Sequence, residues 1–218
     1  MKKTLVSLSI IGRCLFVAGL LLSLPLHANA QMPQLTDSLQ CCDLLFVSPF
    51  KGNAITDVTM GFENTPIDHV AIYYNIGEER KVVEAWPDGG VQMGSLAHFL
   101  DRNKDNAVYV GRLTTPFNKT QSLRNAFRYV GRPYDYLFLH DKDAIYCSEL
   151  VQFSFVDEHG QQLFSPIPMS FHDDSGQITA YWKAYYGSRN MAVPEGQPGT
   201  NPGELSRRPN VTIVFRLF

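Results

Sequence analysis

Apolar and polar residues alternate along two neighbouring segments of the chain, His69–Tyr74 and Arg80–Trp86. β-Branched and aromatic residues at every second position are typical of strands with one buried face. The polar and Gly-containing residues 75–78 between the two segments predict a turn. We therefore predict a hairpin that brings His69 and Glu84 towards the same end of a sheet.

The remaining pattern predicts a mixture of strands and helices. Further strands are predicted at Cys42–Val47, Val91–Met93, Val108–Leu113 and Val211–Phe218, and helices at residues 96–100 (capped by Ser95), Thr120–Val130 and from Cys147 to about Glu158. Residues 51–67 predict a loop or a short helix. Residues 161–210 are rich in Pro and Gly, but they also carry many aromatic side chains, so they predict an irregular, ordered lobe.

The first 30 residues have the features of a secretory signal peptide. A basic start is followed by the apolar stretch Cys14–Leu24 and by the small-x-small site Ala28-Asn29-Ala30. We therefore expect cleavage near Ala30, export of the protein, and a single domain over residues 31–218, with its core at about 40–156 and a C-terminal lobe at 160–218.

Composition narrows the list of partners. Residues 1–30 hold three of the 19 Lys and Arg residues and none of the 21 Asp and Glu residues, so the remainder carries 16 against 21, a net charge near −5. That balance argues against nucleic acid or an anionic membrane as a partner. No motif for a metal or another cofactor is present either, since His-Glu-x-x-His and Cys-x-x-Cys are both missing from the sequence.

Three cysteines follow residue 30: Cys41, Cys42 and Cys147. An odd number in an exported protein leaves at least one thiol unpaired, and Cys147 is the natural candidate. On a predicted strand, Cys41 and Cys42 point to opposite faces, so a bond between them would be strained. They are interpreted as two small buried residues.

Cys147 opens a predicted helix, where the partial positive charge of the helix N-terminus favours a thiolate. His69 at the start of one strand and Glu84 in its partner offer a base and a carboxylate to orient it. His140, which is close to Cys147 in sequence, is the rival base. Taken singly, Cys147 and His69 are more often explained as structural residues and Glu84 equally often as a solvent-facing one, so the hypothesis depends on their combination.

Five segments resemble the circularly permuted NlpC-type, papain-like cysteine hydrolases of the YiiX-like group, which are related to the lecithin–retinol acyltransferase type. They are Asp43-Leu-Leu-Phe, His69-Val-Ala-Ile-Tyr, Val83-Glu84-Ala85, Gly131-Arg-Pro-Tyr-Asp135 and Tyr146-Cys147-Ser-Glu-Leu-Val151. The histidine precedes the cysteine, as in the permuted group. One departure is Cys42, where the family usually has Gly.

The resemblance implies an α+β fold with a central antiparallel sheet or partial barrel and a catalytic cysteine at the N-terminus of a packed helix. It implies Cys147 as nucleophile, His69 as general base and Glu84 as the group that orients the imidazole. Tyr134 or Tyr146 is a candidate oxyanion donor and Trp86 a candidate wall of the cleft. Packing roles for Tyr134 and Trp86 are equally open.

The sequence thus predicts a secreted cysteine hydrolase that cleaves an amide bond, with a cell-wall stem peptide as the expected substrate. Two alternatives remain. The same triad supports acyl transfer or lipid-ester hydrolysis, although the chain shows no basic face or amphipathic anchor for a bilayer. A catalytically silent binding module is the other.

Overall fold

The computed structural model describes residues 35–218 and has a six-stranded, fully antiparallel sheet at its centre. The strands are β1 Leu44–Ser48, β2 His69–Ile76, β3 Glu79–Trp86, β4 Gly90–Ser95, β5 Ala107–Leu113 and β8 Val211–Arg216, in the spatial order β4-β3-β2-β1-β5-β8. A short second sheet pairs β6 Ile167–Pro168 with β7 Pro198–Gly199. The α+β class with a central antiparallel sheet is confirmed.

The predicted hairpin is confirmed and is longer than expected. β2 and β3 pair in register from Ile72 opposite Val83 to Ile76 opposite Glu79. The loop between them has shrunk to Gly77-Glu78, where Gly77 adopts a positive φ of 58° that glycine accepts without strain. Residues 91–93, predicted as a short extension, belong to the full edge strand β4.

Both faces of the sheet are covered by helices. One face packs against α2 Lys119–Arg128 and α3 Cys147–Ser154, through apolar side chains such as Phe46, Val70 and Ile72. The alternate residues Leu45, Ala71 and Val82 face α1 Leu96–Arg102 on the other side. Because neighbouring side chains of a strand point to opposite faces, His69 and Glu84 belong to the face covered by α1.

Two helix predictions need correction at their ends. Ser95 caps α1 as predicted, its hydroxyl accepting from the His98 N–H at 3.1 Å, but the helix continues to Arg102. α3 ends at Ser154, not near Glu158, because Phe155 is extended and Val156 forms a bridge with Gln162. Here pairing with the next segment overrides the apolar pattern.

The strand prediction at Cys42–Val47 was wrong at its start. β1 begins at Leu44, and Cys41 and Cys42 occupy a turn, with Cys42 at a φ of 75°. The conclusion that these side chains point to opposite faces of a strand is therefore wrong too. Asp43 fixes this turn, since its carboxylate accepts from the Gln40 N–H and binds Arg112.

The C-terminal lobe is ordered, as predicted, and contains more regular structure than expected. Besides β6 and β7 it holds α4 Ala180–Gly187 and α5 Pro202–Ser206, and residues 51–67 contain a short 3-10 helix at Phe62–Asn64. The predicted signal peptide lies outside the described residues. Within residues 35–218, none of the helices is both long and apolar enough to cross a membrane.

Candidate active site

Cys147 is the first residue of α3. The preceding residue, Tyr146, is extended (φ −99°, ψ 170°), and its side chain makes no capping hydrogen bond. The first N–H groups of the helix are therefore left without a side-chain acceptor from the cap, and they favour negative charge at this point. The side chain of Cys147 is nearly buried, at 4 % exposure, and its Sγ lies 4.0 Å from the carbonyl oxygen of Asp68.

The predicted hairpin brings His69 and Glu84 into contact. Nε2 of His69 lies 2.7 Å from Oε2 of Glu84, and both side chains are buried. The thiol of Cys147 is near enough to the imidazole to help raise its pKa. Because Nε2 is engaged by the carboxylate, Nδ1 is the nitrogen left for the sulfur. The structure thus places the three predicted residues in the order Cys147, His69, Glu84.

Sequence reasoning missed a fourth member of this network, Arg102. One guanidinium nitrogen of Arg102 lies 2.7 Å from Oε1 and 2.6 Å from Oε2 of Glu84, and the guanidinium also sits over the ring of Trp86, 4.0 Å from its centroid. Arg102 is in the last turn of α1, where a basic residue is ordinary. The sequence offered one indication of such a partner: a carboxylate in an apolar strand is costly to bury unless it is paired. That argument predicts a cation near Glu84 but does not identify the residue.

The network sets the charges of its members. Burial by itself lowers the pKa of His69, but the contacts with Cys147 and Glu84 and their charges outweigh it and raise that pKa to about 10. Burial also tends to raise the pKa of Glu84, but His69 and Arg102 outweigh that effect and lower it. At neutral pH the site therefore holds an ionised carboxylate beside an imidazolium.

Tyr134 reaches the site through the segment that follows α2. The N–H of Val91 on β4 donates to the carbonyl of Arg132 at 2.9 Å, and a side chain on Gly90 would come within 2.1 Å of that same oxygen. Farther along, the Ile145 N–H donates to the carbonyl of Pro133 at 2.9 Å. Tyr134 is therefore fixed between the edge of the sheet and the N-terminus of α3, and it lines the same pocket as Cys147.

The other two predicted site residues, Tyr146 and Trp86, have different surroundings. Tyr146 lines the pocket, but its hydroxyl already accepts from the backbone N–H of Thr200 at 3.1 Å. The ring of Trp86 packs edge-on against His69, with 5.0 Å between the ring centroids. Trp86 is not among the residues that line the Cys147 pocket within the described chain, so its contact is with the base and with Arg102.

The pocket beside Cys147 has about 420 Å³ of empty space, including the part open to solvent, and its walls are mainly apolar. Much of the wall comes from the C-terminal lobe, which the sequence left without an interpretable motif. The apolar side chains of the wall are Ile55, Val58, Phe138, Met169, Phe171 and Trp182. Trp182 is locked in place by its Nε1–H, which donates to the carbonyl of Ala54 at 3.1 Å.

His140, the alternative base, lies away from the Cys147 pocket. Its Nδ1 is 3.4 Å from Oε1 of Glu149, and its ring packs near Phe153. It does not line the Cys147 pocket in the part of the chain that is described. The geometry therefore favours His69 over His140 as the partner of the thiol.

A cysteine at a helix N-terminus, facing a histidine whose other nitrogen contacts a carboxylate, is the arrangement of a papain-like cysteine hydrolase. The comparison with protein families agrees. Residues 43–215 match the model of the permuted papain-like amidase enzymes of the YaeF/YiiX group, the C92 peptidase family. The chain belongs to this family of amidases.

A solved structure shows the same fold. The crystal structure of the metalloprotein YiiX from Escherichia coli O157:H7 has a TM-score of 0.66 and 22 % identity, covering 81 % of this chain and 96 % of that one. A search of curated proteins found no match. The relative is described as a metalloprotein, whereas residues 35–218 of this chain contain no group of three or more His, Cys, Asp or Glu side chains that could hold a metal ion.

Proposed function

We propose that this protein hydrolyses an amide bond through a thioester on Cys147. The observation that carries the proposal is the His69 ring, held between the Cys147 thiol and the Glu84 carboxylate at 2.7 Å. A nucleophile, a base and an orienting group in hydrogen-bonded sequence are what covalent acyl transfer requires.

The steps follow from the charges. The Cys147 thiolate attacks the substrate carbonyl carbon, and the carbonyl electrons move to the oxygen. When the C–N bond breaks, protonated His69 gives its proton to the departing amine, leaving a thioester. His69, now neutral, takes a proton from water, whose oxygen attacks the thioester, so that the acid is released and the Cys147 thiolate and protonated His69 are restored. Glu84 and Arg102 remain ionised throughout and keep the imidazole in place.

The oxyanion formed in each step needs hydrogen-bond donors. The N–H of Cys147 at the start of α3 is one candidate, and the hydroxyl of Tyr134 is the second. Tyr134→Phe removes only that hydroxyl and is expected to lower kcat by about 10²-fold or more if it donates to the oxyanion. Tyr146→Phe is the matched control, because its hydroxyl accepts a backbone N–H and its loss affects stability. Equal kcat for both variants would assign the donor elsewhere.

The pocket chemistry bears on the substrate. A cell-wall stem peptide carries carboxylates, which a binding pocket usually pairs with Lys or Arg. Within the described residues, the lining of the Cys147 pocket includes neither, and its single ionisable carboxyl, Asp68, has a pKa raised by burial. An apolar wall favours an aliphatic acyl group beside the scissile bond. The amide or ester of an apolar acyl chain is therefore an alternative candidate substrate. The apolar lining of the pocket favours this alternative over a stem peptide.

The deciding experiment compares the two substrates with one protein preparation. Release of free amine from an N-acyl amino acid with a long acyl chain is measured beside release from a γ-D-glutamyl–diamino-acid peptide, with Cys147→Ala as the blank. Turnover of the first supports the apolar acyl group, and turnover of the second supports the cell-wall substrate. Hydroxylamine added as acceptor should yield a hydroxamate in either case, since it intercepts the thioester.

The activation of Cys147 is tested without any substrate. Its alkylation by iodoacetamide, followed against pH, should be fast well below pH ~8.5, the pKa of a free thiol. The His69→Ala variant should lose that reactivity. A profile that is ordinary and independent of His69 would contradict the proposed mechanism and would favour a silent binding module.

A further inference from the structure

A second pair of thiols lies in the turn that precedes β1. The Asp43 N–H donates to the carbonyl of Gln40 at 2.9 Å, which closes a four-residue turn with Cys41 and Cys42 at its centre. Cys42 has a φ of 75°, the left-handed value that the third position of a type II turn requires and that glycine normally supplies. A side chain there costs about 1 kcal/mol. Cys42 thus occupies a turn position that favours glycine.

The two thiols have different surroundings. Cys42 is buried, and its Sγ lies 3.9 Å from the carbonyl oxygen of Lys119 in the first turn of α2. Cys41 is half-buried and open to small reagents. Its sulfur lies near the Cys42 thiol and the backbone of Asn75, and both lower its pKa.

These contacts favour a thiolate on Cys41. The adjacent Cys42 thiol is the largest cause, burial opposes it, and Asn75 and the charge of Lys119 add to it, so that the pKa of Cys41 falls to about 6. The pKa of Cys42 is raised by the same contact and by burial. An accessible thiolate beside a second, protonated thiol is the arrangement of a redox-responsive cysteine and its resolving partner.

We propose that Cys41 and Cys42 form a redox-active site, separate from Cys147, that closes reversibly to a disulfide between adjacent residues. The oxidant is a low-molecular-weight disulfide. The Cys41 thiolate attacks one of its sulfurs, the S–S bond breaks, and one thiol leaves. Cys42 then loses its proton to water and attacks the Cys41 sulfur, releasing the second thiol. Two protein thiols are oxidised and one small disulfide is reduced to two thiols.

The covalent geometry makes this bond labile. Adjacent Cα atoms joined by a trans peptide are about 3.8 Å apart. Most disulfides span about 4.4–6.8 Å, and shorter spans store strain that makes the bond easier to reduce. The pair therefore acts as a reversible switch and not as a permanent cross-link.

The site is remote from the triad. Cys42 lies just before the start of β1, where its N–H donates to the carbonyl of Tyr73. His69 pairs with Val47, near the C-terminal end of the same strand. Five residues of strand span about 17 Å. Cys41 and Cys147 therefore react independently, and the state of one can be followed without the other.

The test uses the folded full chain with Cys14 and Cys147 replaced by Ala, so that Cys41 and Cys42 are the thiols left. The protein is equilibrated with oxidised and reduced glutathione at graded ratios, quenched with acid, alkylated with N-ethylmaleimide and examined by intact mass and peptide mapping. Both thiols should be lost together at oxidising ratios, leaving a protein two hydrogens lighter, and both should return in excess reduced glutathione. A pair that stays fully alkylatable would overturn the proposal, as would one that stops at a glutathione adduct.

Cys42→Gly is the matched control, because glycine suits the positive φ and preserves the turn. This variant should accumulate one glutathione on Cys41, and its Cys41 alkylation should shift to higher pH because the largest stabilising contact is gone. Cys41→Ser should leave the buried Cys42 unreacted. A glutathione adduct on Cys42 in place of Cys41 would contradict the assigned order of attack, and circular dichroism checks that each variant is folded.

Discussion

Two buried glutamates, Glu84 and Glu149, lie close to the candidate active site, and their pKa values are shifted in opposite directions. Glu84 is 3 % exposed, contacts His69 and Arg102, and has a lowered pKa. Glu149 is fully buried in the first turn of α3, and its two oxygens have no hydrogen-bond partner among the described residues. Burial and neighbouring acidic groups raise its pKa to about 10. Burial is similar at the two positions, so the partners decide the charge.

The approach of His140 to Glu149 does not change this conclusion. At 3.4 Å from Oε1 it is close enough for an ion pair, yet burial lowers the pKa of His140 and raises that of Glu149, so both are neutral near pH 7. A neutral acid two residues after Cys147 adds no negative charge to the first turn of α3.

The largest expected effect is on Glu84. Glu84→Gln keeps the shape of the side chain, but an amide cannot stabilise the imidazolium, so kcat/KM should fall about 10³- to 10⁴-fold. Glu149→Gln is the matched control and should retain most of its activity, because Gln resembles the neutral acid. Steady-state kinetics on the amide that the wild type hydrolyses measures both. Equal losses in the two variants would remove the distinction drawn between these carboxyls.

The second prediction concerns the pH dependence of stability. The folded pKa of Glu149, about 10, lies above its ordinary value of 4.5, so this group stabilises the fold below pH 4.5 and that contribution is lost as pH rises towards 10. Each pH unit in that window costs about 1.4 kcal/mol. Glu149→Gln should therefore gain about 2–3 kcal/mol relative to the wild type between pH 5.5 and 7.5, measured by urea unfolding.

In the same experiment, Glu84→Gln should change the free energy of unfolding in the opposite direction. The pKa of Glu84 is lowered, so its contribution is present above the ordinary carboxyl pKa and is lost as pH falls. The variant should therefore lose stability relative to the wild type at neutral pH, with the difference shrinking in acid. Parallel curves for the two variants would contradict the assigned protonation states.

The smallest expected effect belongs to Arg102. Arg102→Met removes a cation that helps lower the pKa of Glu84, so that pKa should rise and the acid limb of the kcat/KM profile should move up with it. Arg102→Lys keeps the charge but loses the planar guanidinium that reaches both carboxylate oxygens, and it should shift the limb less. An acid limb unchanged in Arg102→Met would mean that His69 alone keeps Glu84 ionised.

Several features were accessible from the sequence because they depend on near neighbours. Alternating apolar residues on either side of a short polar segment predict the hairpin of β2 and β3, and with it the proximity of His69 and Glu84. The motif around Cys147 predicts a helix that starts at the thiol. The order of His before Cys indicates the permuted family, which the family comparison confirms. The roles of the site residues remain predictions that the experiments above address.

Other features depend on contacts between distant segments. Arg102 reaches Glu84 only because α1 covers that face of the sheet, and the wall of the pocket comes from Met169, Phe171 and Trp182 in a lobe whose sequence carries no motif. The apolar pattern predicts strand at Cys42, whereas the structure has a turn there. The turn depends on Asp43 and its ion pair with Arg112, which is distant in the sequence.

The sequence by itself determined the class of fold and indicated Cys147, His69 and Glu84 as candidate nucleophile, base and carboxylate. Local periodicity, turn residues and helix starts suffice for these. Only the tertiary structure decided which carboxyl is charged, which cation holds it and how apolar the substrate pocket is. Protonation and pocket polarity are properties of a buried environment, and that environment is assembled from segments far apart in the chain.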